Sequence, residues 1–165
     1  MGAGMKANTS VEPHEAAAGA TGALRTLTVT VGLPDRKLCG NAAGPSSRAG
    51  HIARNRRIKA QREAAYWSGL DAIARFPLNE VGRGKPYFPT GRVLVTVAVH
   101  RDPLWATRKL DDDNLIRGMK SQIDGLTDAN IWTDDQQVRW GVITWQAAEP
   151  YRGCLVLTLT QEETA

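Results

Sequence analysis

Apolar and polar side chains alternate along residues 24–31, and a β-branched, sharply bounded run fills residues 92–100; both predict strands. Between them, the segment from Arg48 or His51 to about Arg75 places Ile52, Ala60, Ala64, Trp67, Leu70, Ile73 and Ala74 along a long helix that Pro77 closes. Tyr66 and Trp67 read as packing residues of that helix rather than base-stacking ones. Leu115, Ile116, Met119, Ile123 and Leu126 recur at helical spacing and predict a second helix, with Asp113 or Asn114 as its N-cap and Gly125 helping to end it. Residues 127–130 read as a turn. Residues 138–147 and 153–161 read as two more strands, joined through residues 148–152 as a hairpin. Glycine and proline mark residues 35–50 and 79–91 as loops. The order β-α-β-α-β-β predicts an α+β fold, a small mixed β-sheet with two main helices packed on it. Residues 1–23, rich in Ala, Gly and Thr without periodicity, read as a disordered tail, and residues 24–165 as a single domain.

Composition changes this picture little. A hydrophobic share of 42% and a charged share of 23% are those of an ordinary globular chain. Cys39 and Cys154 lie far apart without CxxC spacing, so neither a disulfide framework nor a zinc site is indicated, and a reducing, cytoplasmic setting is expected. No apolar run approaches the ~20 residues that span a bilayer, and no leader pattern precedes a cleavage site.

Charge changes it more. The net charge is +4, and Arg48, His51, Arg54, Arg56, Arg57, Lys59 and Arg62 follow one another with no acid among them. A cluster of this kind suits a polyanion, although a solvated helix face has the same composition. In the loop before it, Lys37 and its small polar neighbours have the side chains to donate to phosphate oxygens, or form a plain connection.

Against that excess stand five acids at the two ends of one segment: Asp111, Asp112 and Asp113 before the second helix, Asp134 and Asp135 after it. Taken alone, the first group reads as an elaborate N-cap and the second as a turn. Carboxylate oxygens are also the natural ligands of Mg²⁺ and Mn²⁺. Asp111 and Asp113, two apart, can face one point while Asp112 turns away. A chain that leaves the helix and turns back along a sheet would bring Asp135 to them and make a three-carboxylate pocket. Such a pocket holds a divalent ion able to activate water at a phosphoryl group. At about 100° per residue, Asp113, Arg117, Lys120 and Asp124 form a second stripe beside the apolar one, which supplies cations near the acids. An EF-hand is excluded, because Ile116 and Gln122 stand where its Gly and Glu are needed. No Ser-His-Asp, Cys-His, Walker or GxGxxG pattern is present, and His14, His51 and His100 have no metal-ligand spacing.

These residues resemble the RusA family of Holliday-junction resolvases. The family's signature is Asp-x-Asp-Asn at a helix start, a lysine on that helix, Asp-x-Leu-(Thr), and a closing aromatic-x-Asp-Asp. Here it stands as Asp111-Asp112-Asp113-Asn114, Asp124-Gly125-Leu126-Thr127 and Trp132-Thr133-Asp134-Asp135. The resemblance implies that Asp111, Asp113 and Asp135 are the catalytic acids that bind Mg²⁺ (Mn²⁺ being possible), with Asp134 in support. The lysine's place falls on Arg117 counting from Asp113 and on Lys120 counting back from Asp124; Lys120 is favoured because it keeps the residue type. It further implies a cytoplasmic, nucleoid-associated homodimer of a bacterial or phage-infected cell that binds four-way junction DNA and makes paired symmetric nicks, with 5′-phosphate and 3′-hydroxyl ends. Lys37 and the basic helix would read the junction through its phosphates. The alternatives are a nuclease for other branched or flap DNA, and a junction-binding protein that does not cleave.

Overall fold

The computed structural model describes residues 25–39, 44–76, 84–102, 110–147 and 153–162. The expected tail and residues 40–43, 77–83, 103–109 and 148–152 lie outside them. The elements are β1 (Thr26–Gly32), α1 (Arg48–Ala74), β2 (Val93–Arg101), α2 (Asp112–Asp128), a short 3-10 turn (Asp135–Gln137), β3 (Val138–Ala147) and β4 (Cys154–Gln161). The fold is α+β in the expected order, with a four-stranded mixed sheet ordered β1-β4-β2-β3.

That sheet order corrects the hairpin expected between residues 138–147 and 153–161. β3 pairs with β2 in parallel, while β4 lies on the other side of β2, antiparallel to both β1 and β2. Sequence neighbours separate here because α2 carries the chain from β2 across to β3, a parallel crossover. β4 then takes an inner place, where Leu155, Leu157 and Leu159 are fully buried.

One face of the sheet holds the core. Leu27, Val29 and Val31, the alternate valines Val93 to Val99, and the β4 leucines meet Leu115, Met119, Ile123 and Leu126 of α2. Burial of these apolar side chains, each worth about 1.5–3 kcal/mol, is the main force that seats α2. β2 and β3 lose step between Val95 and Val97: Val95 pairs with Trp140 and Val97 with Ile143, so β3 carries an extra residue. Strand side chains alternate faces, so Trp140 and Trp145, five apart, would point oppositely on a regular strand. The bulge restores both to the core side, where Val138, Trp140, Ile143 and Trp145 all pack.

The two helices differ from expectation in detail. α1 buries Ala65, Gly69 and Ala72, whereas Ile52 and Trp67 are 46% and 60% exposed, so Trp67 is a surface ring set edge-on to Tyr66 and not a core residue. α1 buries small residues because α2 approaches it closely: a Cβ on Gly125 would run into the carbonyl of Arg62. Gly125 therefore serves helix contact, and α2 continues past it to Asp128. The N-cap is Asp111, two residues before Asp113 and three before Asn114. Polar bonds complete the joint. Gln61 donates to the Gly118 carbonyl at 2.7 Å and the Ser121 hydroxyl at 2.8 Å, and Gln122 donates to the Gly32 carbonyl at 2.6 Å.

Candidate active site

The three acids at the start of α2 are held in three different ways. Asp111 caps the helix, accepting from the Asn114 amide and the Asn114 side chain, each at 2.8 Å. Asp112 accepts from the indole N–H of Trp145 at 3.2 Å. Asp113 is exposed and makes no hydrogen bond or ion pair among the described residues. Unpaired N–H groups and the helix dipole favour negative charge at a helix N-terminus, which offsets the repulsion within the group.

The second acid group is built by a capping box. The Asp134 carboxylate accepts from the Gln136 amide at 2.8 Å, while Gln137 accepts from the amides of Thr133 and Asp134 at 2.8 and 3.1 Å. Gln137 also donates to the Gly91 carbonyl at 2.9 Å, tying the turn to the loop before β2. Asp134 is thereby a cap, and Asp135 is the acid that faces α2. It stands 3.7 Å from the ammonium of Lys120, which is itself 3.5 Å from Asp124.

The two groups do not form one pocket. Lys120 lies seven positions after Asp113, about 10 Å along a helix that rises about 1.5 Å per residue. The chain does turn back along α2, yet Trp145 is the residue that returns to the helix N-terminus; Asp135, at the start of β3, stays beside the helix middle. Among the described residues no three acids, histidines or cysteines stand close enough to hold a metal ion. The donor chemistry nonetheless fits a hard cation: every candidate ligand is a carboxylate, and neither oxygen of Asp113 has a partner among the described residues.

Arg117 and Lys120 connect two clefts. The first, of about 340 Å³, lies between α2 and β3, with Ile116, Ile123, Val138 and Trp140 as its apolar wall and Asp135 at its rim. The second, of about 250 Å³, lies between α1 and α2 and adds Arg54, Ser121 and Asp124. Both cations line both clefts. Lys120 is shared between two acids, while Arg117 has no acidic partner among the described residues.

Acids from elsewhere in the fold reduce the basic run on α1. Arg57 pairs with Asp35 at 3.1 Å, and Arg62 forms a forked pair with Asp128 at 2.6 and 2.7 Å. The Arg62 hydrogen bonds hold the Asp128 carboxyl below the usual carboxylate range. Arg48, His51, Arg54, Arg56 and Lys59 remain exposed without an acidic partner among the described residues, as does the Lys37 side chain. Arg54 is the one turned to the α1–α2 cleft and so to Arg117.

No protein-family model matches this chain, and no curated protein matches it.

Three residues of the site escaped the sequence reading. Gln137 had a visible signal, since Asp134-x-x-Gln137 is a capping box. Trp140 and Trp145 had none, because the bulge that turns them to one face follows from pairing with β2.

Proposed function

We propose that the protein is a magnesium-dependent, structure-selective endodeoxyribonuclease that resolves four-way DNA junctions, acting as a homodimer on cytoplasmic, nucleoid-associated DNA. The observation that carries the reading is Lys120, held between Asp124 and Asp135 on the α2 stripe that also presents Arg117 and the uncommitted Asp113. An open carboxylate and two cations on one face, next to the exposed α1 cations that have no acidic partner among the described residues, suit a phosphodiester strand. Asp111 and Asp113, together at the start of α2, would hold the ion there, while Asp135 stands with Lys120 about 10 Å along the helix on the turn that Asp134 caps. Bound there, Mg²⁺ or Mn²⁺ supplies an activated water and a counter-charge for the phosphoryl oxygens. Lys120 places its ammonium against charge that builds on the scissile phosphate. Arg117 and Arg54 grip neighbouring phosphates along the two clefts, and the remaining α1 cations fix the arm of the branched substrate.

A second reading, a junction-binding protein that does not cleave, is favoured by the separation of Asp135 from Asp113. Incubating an end-labelled four-way junction with the protein in Mg²⁺, Mn²⁺ or EDTA separates the two. The nuclease gives paired, ligatable nicks with metal and none in EDTA, and D113N binds the junction without nicking it. Nicking by D113N at the wild-type rate would sink the assignment; tight junction binding with no cleavage in either metal would favour the second reading. A flap cleaved as fast as the junction, with plain duplex spared, would shift the substrate to branched DNA in general.

A further inference from the structure

We propose that the cleft between α2 and β3 seats one unstacked nucleobase of the bound strand against Trp140, with Arg117 and Lys120 on the phosphates that flank it. The proposal rests on the DNA reading of this same face. A cleft that served phosphate or a metal ion alone would have no use for an apolar wall, yet Ile116, Ile123, Val138 and Trp140 line it within reach of two cations. That combination, a ring surface with cations at the mouth, suits a nucleotide, whose base is flat and apolar and whose backbone is anionic. At about 340 Å³ the cleft falls in the range of small-ligand pockets. The indole N–H groups separate Trp140 from its neighbours. Trp132 donates to Thr127 at 2.6 Å and Trp145 to Asp112 at 3.2 Å, whereas Trp140 has no acceptor among the described residues. Its N–H is therefore available to a base edge or a phosphate. Pairing with the fully buried Val95 of β2 puts this ring on the α2 side.

A base in a continuous duplex is stacked and paired and cannot enter, while a branch point offers bases whose release costs least. The seat would thus contribute to structure selectivity directly.

Equilibrium binding in EDTA tests the seat apart from catalysis. Four-way junctions carrying a single abasic nucleotide, moved one position at a time across the branch point, are compared with the intact junction. One abasic position weakens binding by wild-type protein about tenfold, W140A loses about tenfold on the intact junction, and W140F loses little. The abasic and W140A losses do not add. Equal binding at every abasic position, or additive losses, overturns the proposal; if W140A fails to fold, the abasic series on wild-type protein decides alone. Absence of cleavage in Mg²⁺ and Mn²⁺ with the abasic effect intact would remove the nuclease reading and leave the base seat standing.

Discussion

Lys120 and Arg117 stand one turn apart on α2 and differ in their surroundings. Lys120 is drawn to Asp124 and Asp135, while Arg117 lies open at the junction of two clefts. We expect K120M to lower the cleavage rate about 10²–10³-fold, well beyond its loss of junction affinity, as loss of a charge stabiliser does. R117M should weaken binding more than it slows cleavage; single-turnover rates and binding isotherms distinguish the two, and the reverse pattern would assign the catalytic role to Arg117. Asp128 carries a pH signature. Its folded pKa is lowered by Arg62, so its stabilising effect is complete above the ordinary carboxylate pKa of about 4 and disappears as pH falls through the lowered value. D128N should cost at most about 1 kcal/mol near neutral pH, since both partners are half-exposed, and the cost should vanish once the pH has fallen through the lowered value. Melting curves from neutral to acid pH show whether the gap closes in that direction. At Cys39, burial first and Asp35 second push the thiol up to about 11, so this cysteine should resist alkylation near pH 8.

Among the elements, α2 was the most legible in the sequence, because its apolar stripe and its acids are local patterns. Its start at Asp111 and its run past Gly125 were not, because both depend on partners. Asn114 claims Asp111, and α1 comes so near that Gly125 is needed for contact. G125A should therefore destabilise the fold by about 1–3 kcal/mol, although alanine is ordinarily the better helix former. Urea titration checks the sign, and a stabilised variant would contradict the close approach. α1 shows the opposite case. Its length was clear, but its packing face was not, since Ala65, Gly69 and Ala72 give a weaker signal than the exposed Ile52 and Trp67.

At the scale of the whole molecule, charge is redistributed by folding. The run from Arg48 to Arg62 is free of acid in sequence, yet Asp35 and Asp128 reach Arg57 and Arg62. The five α1 residues without an acidic partner among the described residues, together with Lys37 and Arg117, are available to meet phosphates. Junction affinity should fall steeply with salt, and R54A should reduce the slope of log K against log salt by about 1. R62A should change that slope less, because Asp128 already neutralises its charge. A flat salt response for wild-type protein would remove the basic face from the reading. The structure also has no helix among the described residues long and apolar enough to cross a membrane.

The sequence by itself determined the order of elements, the α+β class and the two acid groups that bracket α2, because periodicity and charge runs are properties of neighbouring residues. Tertiary structure alone decided that β3 and β4 lie on opposite sides of β2, that a bulge turns Trp140 and Trp145 to one face, and that Asp135 meets Lys120 while Trp145 reaches Asp112. Those outcomes follow from strand pairing and from the direction in which β3 runs past α2, and no local pattern along the chain encodes either.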